Sequence, residues 1–133
     1  MAEFFSHSEK QTAAFAEEYA KTLCAGDVLL LHGEMGAGKT AFVKGLARGL
    51  HITEEVTSPT YAYLNDYAGK LYHYDCYRIS SEEQAEQLGL CDYFDAGKIC
   101  VLEWSEKIAG LLPPNCKQIV IEKTGEEERK ITF

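Results

Sequence analysis

The stretch Val28-Leu29-Leu30-Leu31-His32-Gly33-Glu34-Met35-Gly36-Ala37-Gly38-Lys39-Thr40-Ala41-Phe42-Val43 decides the fold. Its first four residues are a continuous apolar run, the length and character of a parallel strand buried on both faces. Gly33 to Thr40 then satisfies G-x-x-x-x-G-K-[ST] in full. Phe42, Val43, Leu46 and Leu50 recur on one helical face, so Lys39–Leu50 reads as an amphipathic helix. Strand, glycine loop and helix in that order are the setting in which such a loop holds phosphates. The glycines reach dihedrals closed to other residues and let amide N–H groups face an anion. The helix N-terminus adds free N–H groups and partial positive charge. Lys39 suits the β- and γ-phosphates, and the Thr40 hydroxyl suits Mg²⁺. The ligand class is therefore a Mg²⁺-bound nucleoside di- or triphosphate, with Gly33, Glu34, Met35, Gly36, Ala37, Gly38, Lys39 and Thr40 as its binding residues. The base is not specified, since no Asn-Lys-x-Asp or Thr-Lys-x-Asp guanine signature occurs. The reaction is not specified either, because hydrolases, kinases and switches share this cradle.

Working outward, Ser8 and Gln11 resemble a capping box, and Phe15, Tyr19 and Leu23 recur at helical spacing, which predicts a helix over residues 8–24 closed by Gly26. After the loop helix, Thr60–Asp66 and Leu71–Tyr77 read as strands joined by a turn at Tyr67-Ala68-Gly69-Lys70. Ser80 or Ser81 caps a short helix ending at Gly89. Ile99–Leu102 is a second buried apolar run, ending at Glu103. Ser105 is positioned to cap one or two further helical turns before Pro113-Pro114. Gln118–Glu122 and Arg129–Phe133 form a final strand pair with a turn near Gly125. The expected fold is α/β: a P-loop NTPase-like three-layer arrangement with a mixed parallel/antiparallel sheet, since each hairpin must add antiparallel strands. Residues 1–133 are expected to form one domain.

The chain of 133 residues carries 13 Lys+Arg against 21 Asp+Glu, a net of −8. This argues against a chain that grips nucleic acid by itself, which needs clustered Lys and Arg to neutralise phosphates. No apolar run approaches a membrane span, and Met1–Lys10 lacks a basic-then-apolar leader pattern. The five cysteines show no CxxC spacing, so neither a zinc site nor a disulfide framework is expected, and a reducing cytoplasm is. Residues 51–100 hold three basic and nine acidic side chains, a net of −6. Glu82, Glu83, Glu86, Asp92 and Asp95 supply much of it, either as a solvated helix face or as a docking surface for a basic partner.

A phosphate loop needs a second acidic group, to hold metal or orient water, and this often sits at the end of a neighbouring buried strand. Glu103 has that position. Asp75 is the other acid of interest: a carboxylate within an aromatic-rich strand needs a metal, a water or an ion pair with Arg78 or His73 to justify it. Trp104 reads either as a core aromatic or as a ring near the nucleotide. Thr57-Ser58-Pro59-Thr60 is either a γ-phosphate-sensing switch or a plain turn.

Gly33–Thr40, Ser58-Pro59-Thr60-Tyr61, His73-Tyr74-Asp75-Cys76-Tyr77-Arg78 and Glu103-Trp104-Ser105-Glu106 together resemble the bacterial TsaE family, also called YjeE, in order and approximate spacing over nearly the whole chain. The resemblance implies a P-loop ATPase that supports threonylcarbamoyl modification of the adenosine beside the tRNA anticodon. It implies ATP and Mg²⁺ as cofactors and TsaD and TsaB as partners, with TsaD performing the transfer. It makes Thr40 and Glu103 the Mg²⁺ ligands, Lys39, Asp75, Glu103 and Thr60 the catalytic set, with Thr60 in a switch-like loop, and Arg129 a C-terminal nucleotide contact. Ala41 departs from the second hydroxyl residue common at that place, without touching the phosphate or metal ligands. Two other functions are compatible with the loop: a small-molecule kinase, which would need an acceptor pocket and usually an Arg-rich lid, and an ATP-dependent binding module without significant turnover.

Overall fold

The computed structural model describes residues 2–34, 36–56, 63–94 and 97–133. Among the described residues, seven strands form one sheet: β1 (Glu3–Ser6), β2 (Val28–His32), β3 (Leu64–Tyr67), β4 (Leu71–Asp75), β5 (Ile99–Glu103), β6 (Lys117–Lys123) and β7 (Arg129–Thr132). The α-helices of the described residues are α1 (Glu9–Ala20), α2 (Lys39–Gly49) and α3 (Glu82–Gln87). Short 3-10 helices cover Leu90–Tyr93 and Ser105–Leu111.

The strand order is β1-β7-β6-β2-β5-β4-β3. β6, β2, β5 and β4 run parallel; β3 pairs antiparallel with β4 at one edge, and at the other β7 pairs antiparallel with β6 and β1 antiparallel with β7. The mixed sheet expected from the two hairpins is therefore present. In the first hairpin, Tyr67 belongs to β3, and Ala68 (φ 57°) with Gly69 (φ 65°) makes the turn. Its Gly69 amide donates to Asp66 Oδ1 at 2.8 Å. The segment 57–62, which includes the expected start of this strand and Thr60, lies outside the described residues, as do Met35 and Asp95.

Alternation along the central strands sorts side chains into two cores. Leu29, Leu31, Leu71, Val101, Ile119 and Ile121 face Phe42, Val43 and Leu46 of α2 and Ala16 and Ala20 of α1. Val28, Leu30, Tyr72, Tyr74, Cys100 and Leu102 face Ala85 of α3 and Leu90 and Ile108 of the 3-10 helices. Covered on both faces, β2 has no polar side to show, which explains its unbroken apolar run. The Tyr74 hydroxyl, inside the second core, donates to Leu90 O at 2.8 Å.

α1 begins as its sequence predicts: Ser8 Oγ accepts from the Gln11 amide at 3.1 Å, and Gln11 Oε1 accepts from the His7 amide at 2.7 Å. Its buried positions differ from the aromatic periodicity. Thr12, Ala13, Ala16 and Ala20 are buried, whereas Phe15 and Tyr19 are half-buried and Leu23 lies beyond the helix end. The reason is the close approach of α2. A Cβ at Gly45 would fall 2.1 Å from Ala13 O, and one at Gly49 would fall 2.5 Å from Glu17 O. Small residues make the helix contact, and the aromatics close its flank, with Phe15 4.8 Å from Phe4 and 5.0 Å from Phe133 between ring centroids.

β1 was not expected. Glu3-Phe4-Phe5-Ser6 is too short to read as a strand and exists through its antiparallel pairing with β7. Likewise Ser105 does not cap the helical segment before Pro113: Trp104 takes the cap position, and Ser105 is buried behind it. Among the described residues, no helix is long and apolar enough to cross a membrane.

Candidate functional site

The glycine loop leaves β2 at the carboxyl end of the parallel strands, the edge where open α/β sheets place their ligands. Gly36 (φ 83°) and Gly38 (φ 99°) hold backbone conformations that side chains disfavour. A Cβ at Gly33 would fall 2.9 Å from Ile121 O, so the turn out of β2 passes too close to β6 for any other residue. Gly38 is the N-cap of α2 and offers no side-chain cap, which leaves the first helix turn without a side-chain acceptor at its cap.

Parallel register sets the acids beside the loop. Leu31 of β2 pairs with Glu103 of β5, and Glu103 pairs with Asp75 of β4. A cavity of about 590 Å³ lies over this edge, lined by Gly36, Gly38, Lys39, Thr40, Asp75 and Glu103. Trp104 and Arg129 line it too. Gly36, Gly38, Lys39, Thr40, Asp75, Glu103 and Arg129 of the expected set thus converge, while Met35 and Thr60 lie outside the described residues. Gly33, Glu34 and Ala37 shape the loop, with the Ala37 amide donating to Glu34 O at 3.0 Å.

Glu103 is the best-held group of the site. It is 8% exposed, and its two oxygens have separate partners. His73 Nε2 lies 2.5 Å from Oε2, and Lys39 Nζ lies 3.6 Å from Oε1. Burial alone would push the Glu103 carboxyl up. The hydrogen bond and charge of His73, with the Lys39 ammonium, outweigh it and hold the carboxyl below its usual range. Lys39 Nζ also sits 4.8 Å from the centroid of the Trp104 ring, a cation–π contact. Trp104 therefore both packs on the second core and lines the cavity, joining the two roles its sequence left open. It takes φ 58°, turning the chain sharply after β5.

Of the alternatives for Asp75, the His73 ion pair is the one the structure removes, because His73 bonds Glu103 instead. The signal was in the alternation: His73 and Asp75 share a face of β4, and their partners in register are Val101 and Glu103, so His73 meets Glu103 on the diagonal. Its Nδ1 is buried with no hydrogen-bond partner among the described residues. Asp75 Oδ1 accepts from the Tyr77 amide at 3.0 Å. Arg129, expected as a nucleotide contact, directs its guanidinium to loop carbonyls: Nε donates to Ala37 O at 2.9 Å and Nη2 to Gly36 O at 3.2 Å.

The sheet order, the loop between β2 and α2, and the two acids at one strand edge define an α/β protein of the phosphate-loop class. Residues 6–131 match the family model described as threonylcarbamoyl adenosine biosynthesis protein TsaE. The chain belongs to the TsaE family. The tRNA threonylcarbamoyladenosine biosynthesis protein TsaE of Bacillus subtilis (strain 168) is 46% identical over 127 residues, covering 93% of this chain and 75% of the relative. That of Treponema pallidum (strain Nichols) is 40% identical over 129 residues, covering 96% of each. The crystal structure of Bacillus subtilis YdiB superposes with a TM-score of 0.84 at 38% identity, covering 99% of this chain and 83% of the other.

Proposed function

We propose that the chain binds Mg·ATP at the Gly33–Thr40 loop, hydrolyses it slowly alone, and supports a TsaD–TsaB pair in threonylcarbamoyl modification of the adenosine beside the tRNA anticodon. One observation carries the proposal: loop glycines, Lys39, Thr40, Asp75 and Glu103 line a single cavity of about 590 Å³ at the carboxyl edge of the parallel strands.

The residues present suit a magnesium nucleotide. Glycines at positive φ and the helix N-terminus of α2, without a side-chain cap, suit an anion. Thr40 and Glu103 are hard oxygen donors that would hold the metal. Bound Mg²⁺ would counter charge on the phosphate oxygens and on the leaving group. Lys39 supplies the fixed cation of the loop, and its stem is held by burial. His73 orients Glu103 through Oε2. Asp75, one strand further, is positioned to orient a water or take its proton.

Slow turnover in isolation has a structural ground. The cations lining the cavity, among the described residues, are Lys39 and Arg129, and both already face acceptors of this chain. Faster phosphoryl transfer needs further positive charge around the transition state, which a partner can bring. A turnover assay tests this. ADP should form slowly without any acceptor molecule, which separates the ATPase from a kinase, and purified TsaD–TsaB should raise the rate. Full-speed hydrolysis by the isolated protein, unchanged by TsaD–TsaB, would overturn the proposal.

A further inference from the structure

The phosphate loop is tied to a distant part of the chain. Arg129, the first residue of β7, donates from Nε to Ala37 O at 2.9 Å and from Nη2 to Gly36 O at 3.2 Å. On its other side, Nη1 donates to Glu128 O at 2.8 Å, Gly125 O at 3.2 Å and Glu126 O at 3.3 Å. A guanidinium carries five N–H donors in a rigid fork. Backbone carbonyls take the Nε hydrogen, both Nη1 hydrogens and one of the Nη2 pair. The group thus bridges the β6–β7 hairpin to the loop and has little capacity left for a ligand.

The bridge acts on the loop's amides. A trans peptide sets its C=O and N–H on opposite sides, so holding Ala37 O turns the Gly38 N–H away from the guanidinium. Gly38 is the N-cap of α2, held at φ 99° without a side-chain cap. Nothing in its own side chain sets that peptide, and glycine resists misorientation less than any other residue. The positive charge also covers two carbonyl dipoles that would otherwise set negative ends beside a bound anion.

We propose that Arg129 is a positioning residue. It braces the loop from the C-terminal hairpin, fixes the amides that receive phosphate, and is not a γ-phosphate ligand. The inference rests on the nucleotide reading of the loop, and departs from the direct nucleotide contact that the family resemblance implies.

The test compares Arg129→Gln, Arg129→Lys and Lys39→Ala by calorimetric binding of ATP and ADP, with amide hydrogen exchange on the nucleotide-free proteins. A brace shapes the loop before any ligand arrives. Both Arg129 variants should therefore lose ATP and ADP affinity by the same factor, about tenfold or more. Lysine should not rescue, because one ammonium cannot span two loop carbonyls and the hairpin. Exchange at the Ala37 and Phe42 amides, which donate to Glu34 O and Gly38 O, should rise by about tenfold in both variants before nucleotide is added. A phosphate ligand gives another pattern: ATP affinity falls at least about tenfold more than ADP affinity, and lysine restores it. That pattern, or unchanged exchange at Ala37 and Phe42, would overturn the brace. If Arg129→Gln does not fold, Arg129→Lys carries the same comparison. Equal ATP binding by the unaltered protein and Lys39→Ala would instead overturn the nucleotide reading, while the exchange result still judges the brace.

Discussion

The loop edge and the acidic segment around α3 both carry charge that a residue count records alike, and the fold treats them oppositely. At the loop edge charge is buried. Glu103 is 8% and Lys39 9% exposed, and each is matched by a named partner. Around α3, Glu83, Glu86 and Asp92 are exposed, beside Leu88 at 48% and Tyr93 at 37% exposure. A buried ion must be paired or it is expelled, so partners there are specific and few. An exposed run needs only water. One residue breaks the pattern: Glu82 Oε2 accepts from the Gly110 amide at 2.6 Å and ties α3 to the second 3-10 helix.

The sharpest way to break the comparison is at its buried end. Lys39→Ala should abolish turnover, a loss of at least about 100-fold in a rate assay, because the other cation lining the cavity among the described residues, Arg129, is committed to loop carbonyls. Retained activity would exclude the proposed cradle. Glu103→Gln keeps the shape of the side chain but not its charge, and should lower turnover by about 100-fold with a weakened response to added Mg²⁺. His73→Phe should destabilise the fold by about 1–3 kcal/mol in denaturant unfolding, because it leaves Glu103 Oε2 buried without its donor.

The thiols sharpen the same contrast between buried and exposed groups. Burial first, then nearby acids including Asp75 and Glu106, pushes the Cys76 thiol up to about 12, and burial pushes Cys100 up to about 11, against an ordinary 9.0. Their neutral forms are favoured in the folded state. The stability this contributes is complete below pH 9.0 and declines as pH rises through about 11 and 12. Thermal unfolding followed from pH 8 to 11 should show that decline, and alkylation should modify exposed Cys24 well before either buried thiol.

The smallest effects belong to α3. Glu82→Lys should cost about 1 kcal/mol, seen as a few degrees of Tm, because the Gly110 amide loses its acceptor. Glu83→Lys with Glu86→Lys should leave stability and nucleotide affinity within about twofold, since exposed charges contribute little. If the segment docks a basic partner, the same pair should weaken TsaD–TsaB capture. Unchanged capture would favour the solvated-face alternative. Glu82 does not belong in that reversal, because its loss disturbs the fold as well as the charge.

Much of the architecture was legible because local sequence and tertiary environment agree. The apolar run before Gly33 needed two covered faces and found them, and Ser8 and Ser81 cap α1 and α3 through their hydroxyls. The failures have a shared cause. β1 exists only through a partner strand at the far end of the chain. The aromatic stripe of α1 suggested its core face, whereas Gly45 and Gly49 bring α2 so near that alanines must fill the contact. Glu103 and Asp75 were legible as strand-end acids, but their adjacency depends on β4 and β5 pairing in one register.

The sequence by itself determined the chemistry on offer: a glycine loop between a buried strand and a helix, its lysine and threonine, and acids at strand ends. These follow from short-range rules, because a loop's dihedrals and a helix N-terminus are properties of adjacent residues. The tertiary structure alone decided which groups meet. His73 pairs with Glu103 through strand register, and Arg129 reaches Gly36 and Ala37 across more than ninety residues of chain. Hydrogen bonds act over about 3 Å in space whatever the separation in sequence, so the partners of Glu103 and of the loop carbonyls are fixed only once the sheet has formed.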